Sequence, residues 1–397
     1  MRRLFFLFLI AETASVSALH ARTETWKRHV IDDSSRGADG ARLLDVNGDG
    51  LPDIATGWEE GGVVRAYLHP GKDKVVEKWP SVTVGKVKSA EDAIFVDLDA
   101  DGAYDVLSSC EGRTRTAYVH WAPKKPADYL DPAKWKTEVV PATAGKQLWM
   151  YALPVGEGND VLLGSKGGGA AIGLLRPGTN PRNPADWTYR KWTGASWIMS
   201  MRNVDLDGDG DLDVLASDRK GSNPRVLWLE NPGDSDLSRP WQEKLVGAKG
   251  RQVMFLDVGD LNGDGRLDVA VPVLPRDVLL LYQPKNPDEA WREESLSFPA
   301  SKYGTSKAVR ILDIDNDGKL DLAVTCENAN GPLSGVFYLT KEKNGWQDHD
   351  VGGPEGVKFD RIAPADLDGD GDLDLVTCEE RDQLGVIWYE NPADPSF

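Results

Sequence analysis

A nonapeptide of the form Asp-x-Asp/Asn-x-Asp-Gly-x-x-Asp occurs six times in this chain of 397 residues, starting at Asp45, Asp97, Asp205, Asp260, Asp313 and Asp366. The intervals are 52, 108, 55, 53 and 53 residues, so the long one contains a unit without the acidic loop. That unit falls near residues 156–160, where a shortened turn separates two apolar runs. Self-similarity at this period marks a repeat architecture, in which each unit buries its apolar face on the next. Tryptophans give an independent count: Trp26, Trp79, Trp135, Trp187, Trp241, Trp291 and Trp346 recur every 50 to 56 residues. Seven units follow, and these tryptophans are read as packing residues at the unit edges.

Each unit reads as four strands. In the last one, residues 359–365 form strand A, the acidic loop is the A–B turn, 375–378 form B and 385–389 form C. The chain stops before a fourth strand, whereas the Trp-led run 26–31 precedes the first strand A and has no unit of its own. The two leftovers complete each other if the N-terminal run closes the seventh unit and removes its exposed edge. The predicted fold is therefore all-β: a seven-bladed β-propeller of four-stranded blades, one domain over residues 23–397. A solenoid would need capping repeats, and none is present. The 41 Gly, 24 Pro and 14 Trp suit short strands and many turns.

Ahead of the repeats, Arg2 and Arg3, an apolar run over 4–11 and small residues near 16–21 have the order of a signal peptide over residues 1–22. The apolar run is too short to span a bilayer, and no later stretch approaches that length. A secreted or periplasmic protein is expected. With only Cys110, Cys326 and Cys378, at least one thiol is unpaired and disulfides do not build the fold. A net charge of -18 excludes the basic footprint that a nucleic acid requires.

The loops carry the clearest chemistry. Side-chain oxygens at positions 1, 3, 5 and 9 come from Asp45, Asn47, Asp49 and Asp53; from Asp97, Asp99, Asp101 and Asp105; and from Asp205, Asp207, Asp209 and Asp213. The later loops supply Asp260, Asn262, Asp264 and Asp268; Asp313, Asp315, Asp317 and Asp321; and Asp366, Asp368, Asp370 and Asp374. Gly at position 6 permits the sharp turn, position 7 offers a carbonyl, and Asp at position 9 is expected to bind bidentately. An all-oxygen set selects Ca2+, about six ions per chain. An EF-hand would need Glu at position 12 and helical flanks. Here position 12 is Thr56, Ser108, Ala216, Val271, Val324 or Thr377. Empty loops would hold carboxylates whose mutual repulsion is several kcal/mol per pair, roughly, at an effective dielectric near 20.

The runs 205–213 and 366–374, with the strand endings Trp228-Leu-Glu-Asn-Pro232 and Trp388-Tyr-Glu-Asn-Pro392, resemble the FG-GAP-like, or VCBS, repeats of secreted bacterial proteins. The resemblance spans nearly the whole chain after residue 22. It implies a seven-bladed propeller with calcium in the A–B hairpins, similar to the head of integrin α-subunits. No Phe-Gly precedes the loops and no Gly-Ala-Pro follows them, so the resemblance carries the fold further than any ligand. Some similar proteins are sugar lyases or dehydratases.

A ligand is expected on the face opposite the calcium turns, built from B–C and D–A loops. The residues after each strand B include Glu59, Glu111, Lys166, Asp218, Arg219, Glu327 and Glu379. The segments entering strand A add Trp149, Trp197, Tyr303 and Arg361, with Glu91, Asp92 and Asp360. Aromatic faces beside carboxylates and guanidinium groups suit a sugar or a protein loop. Lys166 opens a Gly-Gly-Gly run and, with Trp149, Glu111 and Asp218, is expected to form one pocket. The histidines lack HExxH spacing and no GxSxG is present. The favoured reading is a monomeric exported binding or adhesion module for a carbohydrate or protein; the alternative is an extracellular polysaccharide lyase or sugar dehydratase.

Overall fold

A computed structural model describes residues 25–156, 158–233 and 237–392; the expected signal peptide lies outside them. The described chain forms seven four-stranded antiparallel sheets. In blade one, strands A to D are Ala38–Leu44, Asp53–Trp58, Val63–Tyr67 and Ser81–Gly85. The pattern repeats to blade seven, where A, B and C are Phe359–Ala365, Asp374–Glu379 and Gly385–Glu390. The N-terminal strand Lys27–Asp32 supplies the fourth, pairing antiparallel with strand C through Lys27↔Glu390 and His29↔Trp388. His29 stacks on Trp388 with ring centroids 4.4 Å apart and meets Glu390 at 2.6 Å, so ring closure has both a ladder and a side-chain clasp.

Burial follows position along each blade. Strand B is flanked by A and C and covered by neighbouring blades, and in blades one, two, four, five and seven every residue of it is buried. Sequences such as Asp-Val-Ala-Val-Pro-Val at 268–273 therefore carry almost no polar alternation. Strand D lies at the rim and is polar, as in Arg-Glu-Glu-Ser-Leu at 292–296; charges there blunt a free edge. The repeated tryptophans knot the C–D connections. The indoles of Trp79, Trp135, Trp187 and Trp291 donate to the carbonyls of Val75, Tyr129, Pro181 and Pro287 at 2.8–3.3 Å. All three cysteines are buried and free. Among the described residues no helix is long and apolar enough to cross a membrane.

One irregularity positions the site. The A–B pairing skips a residue near the start of strand A in six blades: between Asp39 and Ala41, Ala90 and Asp92, Trp149 and Tyr151, Ile198 and Ser200, Ser306 and Ala308, and Phe359 and Ile362. A β-bulge leaves the extra residue out of the ladder and re-aims its side chain.

Candidate functional site

The antiparallel order puts the A–B hairpins at one end of the propeller and the B–C turns with the D–A links at the other. Each end holds a distinct set of polar side chains.

At the hairpin end the loops are built by their own aspartates. Asp45 accepts from the amides of Gly48 and Asp49 on one oxygen and of Gly50 on the other, at 2.8–3.2 Å; Asp260 repeats this with Gly263, Asp264 and Gly265. Gly at position 6 has φ between 82 and 103 in all six loops, a region costly for a residue with a Cβ. The carboxylates of Asp97, Asp99 and Asp101, of Asp205, Asp207 and Asp213, and of Asp313, Asp315 and Asp321 converge within 4.8 Å, close enough to hold a metal ion. Asp99 Oδ1 is buried without a hydrogen-bond partner, as an oxygen reserved for a cation would be.

Position 9 has a structural role besides the expected metal contact. Asp53 accepts from Val46 N at 3.0 Å and His69 N at 2.9 Å; Asp213 from Leu206 N and Asn231 N; Asp374 from Leu367 N and Asn391 N. With an amide on each oxygen, these carboxylates staple loop to blade, and a lone pair on each oxygen remains for an ion. Burial pushes Asp53 and Asp213 up to about 6, Asp321 and Asp374 up to about 7, and Asp105 up to about 8. Blades two and three hold arginines at this end. Arg182, reaching over from blade three, contacts Asp99 and Asp101 while its guanidinium lies 4.6 Å from the Trp121 ring. In blade three the aspartate that opens strand B, Asp160, is gripped by Arg176 through Nε and Nη2 at 2.7–3.1 Å, so a fixed guanidinium stands in the unit without an acidic loop.

The opposite end opens on a cavity of about 300 Å³. In five of these blades the unpaired residues line it, namely Glu91, Met150, Met199, Lys307 and, in blade seven, both Asp360 and Arg361; in blade one the unpaired residue is Gly40 and its neighbour Asp39 lines the wall. The wall is completed by Glu59, Glu111, Lys166, Arg219 and Glu327 from the turns after strand B, by Trp197 and Lys358 from the links into strand A, and by Phe255 and Arg381. Nine sequence-predicted residues are thereby brought together: Glu59, Glu91, Glu111, Lys166, Trp197, Arg219, Glu327, Asp360 and Arg361.

Five others are not. Asp92 is fully buried and taken up by Arg42 and Arg361. Trp149 is fully buried, because the bulge sends Met150 to the cavity and turns the indole inward to donate to Thr143 O at 3.2 Å. Tyr303 stacks on Phe337 at 4.1 Å and donates to Asp348. Asp218 and Glu379 end their B strands and cap the following turns: Asp218 accepts from Ser196 and Trp197 amides and from Arg225, Glu379 from the amides of Lys358, Arg381 and Asp382. The single pocket expected from Trp149, Lys166, Glu111 and Asp218 does not form; only Lys166 and Glu111 meet. Sequence reading missed Asp39, Met150, Met199, Phe255, Lys307, Lys358 and Arg381. The available signal was a polar residue interrupting an apolar strand A, as in Ala-Asp-Gly at 38–40 or Ser-Lys-Ala at 306–308.

The charges are ordered around the mouth. Lys307 lies 2.9 Å from Asp360 and 2.7 Å from Glu380, Arg219 3.8 Å from Glu327, and Lys166 3.8 Å from Glu91. Despite burial, Lys307 and Arg361 hold the Asp360 carboxyl low. Asp39 has the reverse setting: burial, then the charges of Asp360, Glu91 and Glu380, push it well above the carboxylate range. Glu91 is raised by burial and by Glu111 in spite of Lys166, and Glu59 by burial and Glu111. Lys166, Arg219 and Lys220 stand 4.3–4.8 Å from the Trp197 ring centroid. Trp197 Nε1, Arg219 Nε and Asp360 Oδ2 are buried with no hydrogen-bond partner among the described residues.

These features define a repeat-built propeller with metal-capable hairpins at one end and a polar, charge-lined cavity at the other, a scaffold suited to ligand binding. The FG-GAP-like repeat model matches residues 45–108, 159–271 and 313–377, more than half of the chain, and the protein belongs to that family. Among solved structures, BBS1N in complex with ARL6DN, soaked with mercury, is similar at 12% identity and a TM-score of 0.51, covering 94% of this chain and 98% of that one. Sqt1 of Saccharomyces cerevisiae is similar at 11% identity and a TM-score of 0.49, covering 93% and 98%. The likeness to BBS1N shows the fold alone. No curated protein matches the chain.

Proposed function

We propose that the protein is an exported, calcium-braced propeller that binds a carbohydrate in the cavity at the B–C end. The observation that carries this reading is the cavity wall itself, where Trp197 Nε1, Arg219 Nε and Asp360 Oδ2 are buried and unpartnered beside an aromatic ring and paired charges. Buried polar atoms without partners are rare unless a ligand or water completes them. A volume of about 300 Å³ is at the lower end of small-ligand sites and fits sugar-sized groups rather than a folded surface. The order of charges and apolar residues over 1–22 supports export. Calcium suits the oxygen-only loops, with the aspartates and asparagines at positions 1, 3 and 5 and the carboxylate of position 9 as its ligands. Bound there, it would supply the positive charge that the converging carboxylates lack.

An acid–base enzyme on the same cavity is the second reading, favoured by one observation: Asp39, raised, faces Asp360, held low by Lys307. Two carboxyls pushed apart in this way match the needs of a general acid and a general base. Both readings are tested by a glycan array and a polysaccharide panel assayed for unsaturated products, with Trp197→Ala and Arg219→Ala as variants. Binding without turnover, lost in both variants, supports the module. Turnover lost in Asp39→Asn supports the enzyme. An activity indifferent to all three substitutions places the site elsewhere.

A further inference from the structure

The loops at 205–213 and 366–374 have the same nine residues, Asp-Leu-Asp-Gly-Asp-Gly-Asp-Leu-Asp, yet their seventh residues differ. Asp211 is only half-buried, and its Oδ2 runs alongside Gly233 just beyond strand C. Asp372 is 4% exposed, and neither of its oxygens meets a hydrogen-bond donor among the described residues. Its own backbone amide donates to Asp370 Oδ1 at 3.1 Å, so it sits within the loop that also carries Asp366 and Asp368. A buried carboxylate with no donor, in a loop of four others, needs a cation beside it to remain an anion. Position 7 of such a loop ordinarily contributes its backbone carbonyl alone.

We infer that Asp372 is a side-chain ligand of the divalent ion in blade seven, giving that loop five carboxylates where its twin in blade four uses four. The inference rests on the calcium reading of the loops. More ligand charge tightens a calcium loop, so the blade-seven ion is the last released to a chelator. The location gives this a purpose. Blade seven is the one closed by the N-terminal strand. Its position-9 residue, Asp374, is stapled by the amide of Asn391, whose side-chain amide in turn donates to Ile314 O of blade six at 2.9 Å. An ion held here secures the closing blade to its neighbour.

The test compares Asp372→Asn with Asp211→Asn in the full chain. Bound calcium is measured by metal analysis across a series of buffered free-calcium concentrations, and melting temperature is followed with calcium and with chelator. The expected result is that Asp372→Asn weakens one site at least tenfold while Asp211→Asn stays within twofold of the wild type. Asp372→Glu, which keeps a carboxylate, is expected to restore most of the loss and covers the case where the Asn variant does not fold. Superimposable titrations of the Asn variants would overturn the inference. So would a rise in melting temperature of Asp372→Asn in chelator with no change in calcium binding, since that is the behaviour of a merely repulsive buried charge. A wild-type chain that binds no calcium would instead overturn the reading of the loops.

Discussion

Arg361 donates through Nη1 to Asp92 Oδ1 at 2.9 Å, joining blade seven to blade two inside the channel, across 269 positions of sequence. The same carboxylate accepts from Arg42 Nε and Nη2 at 2.9 and 2.8 Å and from the amide of Ala152 at 2.9 Å. One fully buried aspartate thus ties blades one, two, three and seven. Although burial opposes ionisation, Arg361 and Arg42 hold its carboxyl low. Its contribution is therefore present above the ordinary carboxylate range and is lost as pH falls through the lowered value. Asp92→Ala leaves two guanidinium groups without their anion and is expected to destabilise by about 3–5 kcal/mol. Urea unfolding checks this, and a loss below about 1 kcal/mol would mean that water replaces the carboxylate.

Calcium content is the next test. Six loops imply six ions per chain. If each binds with a dissociation constant near 10⁻⁴ M, calcium at ~1 mM stabilises by roughly 1.4 kcal/mol per site. Chelator is expected to lower the melting temperature substantially, and metal analysis of dialysed protein giving two ions or fewer would refute the assignment. Because Asp213 staples its loop to Asn231 as well as facing the metal position, Asp213→Ala is expected to lower stability even in chelator. Asn47→Ala, in an exposed loop, is expected to matter less in chelator than with calcium.

The sequence showed the fold through its spacing, because the acidic loops and the tryptophans counted the same seven units. It also placed the closing strand, since a unit without strand D and a strand without a unit have one economical solution. Boundaries shifted by a residue: strand B of blade seven begins at Asp374 rather than 375, where the position-9 aspartate enters the ladder. The cavity was legible only in part. Turn residues such as Glu59, Lys166 and Arg219 could be found because strand ends point to a face, and Glu91, Asp360 and Arg361 because they open a strand A, but Asp39, Met150, Met199 and Lys307 in the same position could not. Simple alternation would keep Met150 and Lys307 within the pleat, and a bulge leaves no mark in a single sequence except a polar residue out of phase. Trp149 shows why: a large aromatic entering strand A has the sequence signature of a ligand platform, and one skipped register position makes it core.

Closure makes a separate prediction. Deleting residues 26–31 removes the ladder to strand C of blade seven and the stack of His29 on Trp388. The exposed edge of Gly385–Glu390 would then be free to pair with other chains. The deletion variant is expected to aggregate and to melt earlier, as followed by size-exclusion chromatography and calorimetry. A monomeric variant with unchanged melting would show that the clasp is dispensable.

Asp39 is the residue whose removal is expected to separate stability from function. It is 7% exposed and lines the cavity. Burial comes first among the causes that raise its carboxyl, followed by the charges of Asp360, Glu91 and Glu380. Lys307, which feels the charge of Asp39, is already held between Asp360 and Glu380. Since the folded value lies above the unfolded one, the folded chain keeps a proton that the unfolded chain has released. That contribution is complete below about pH 4 and is lost as pH rises through the raised value. Asp39→Asn cannot ionise, so it is expected to match the wild type near pH 4 and to melt at a higher temperature near pH 8, while weakening whatever the cavity binds. Calorimetry of both proteins from pH 4 to 8 at constant ionic strength decides it. Parallel curves would mean that Asp39 is ionised throughout, stabilised by water entering the cavity, and that the carboxylate cluster carries no strain for a ligand to relieve.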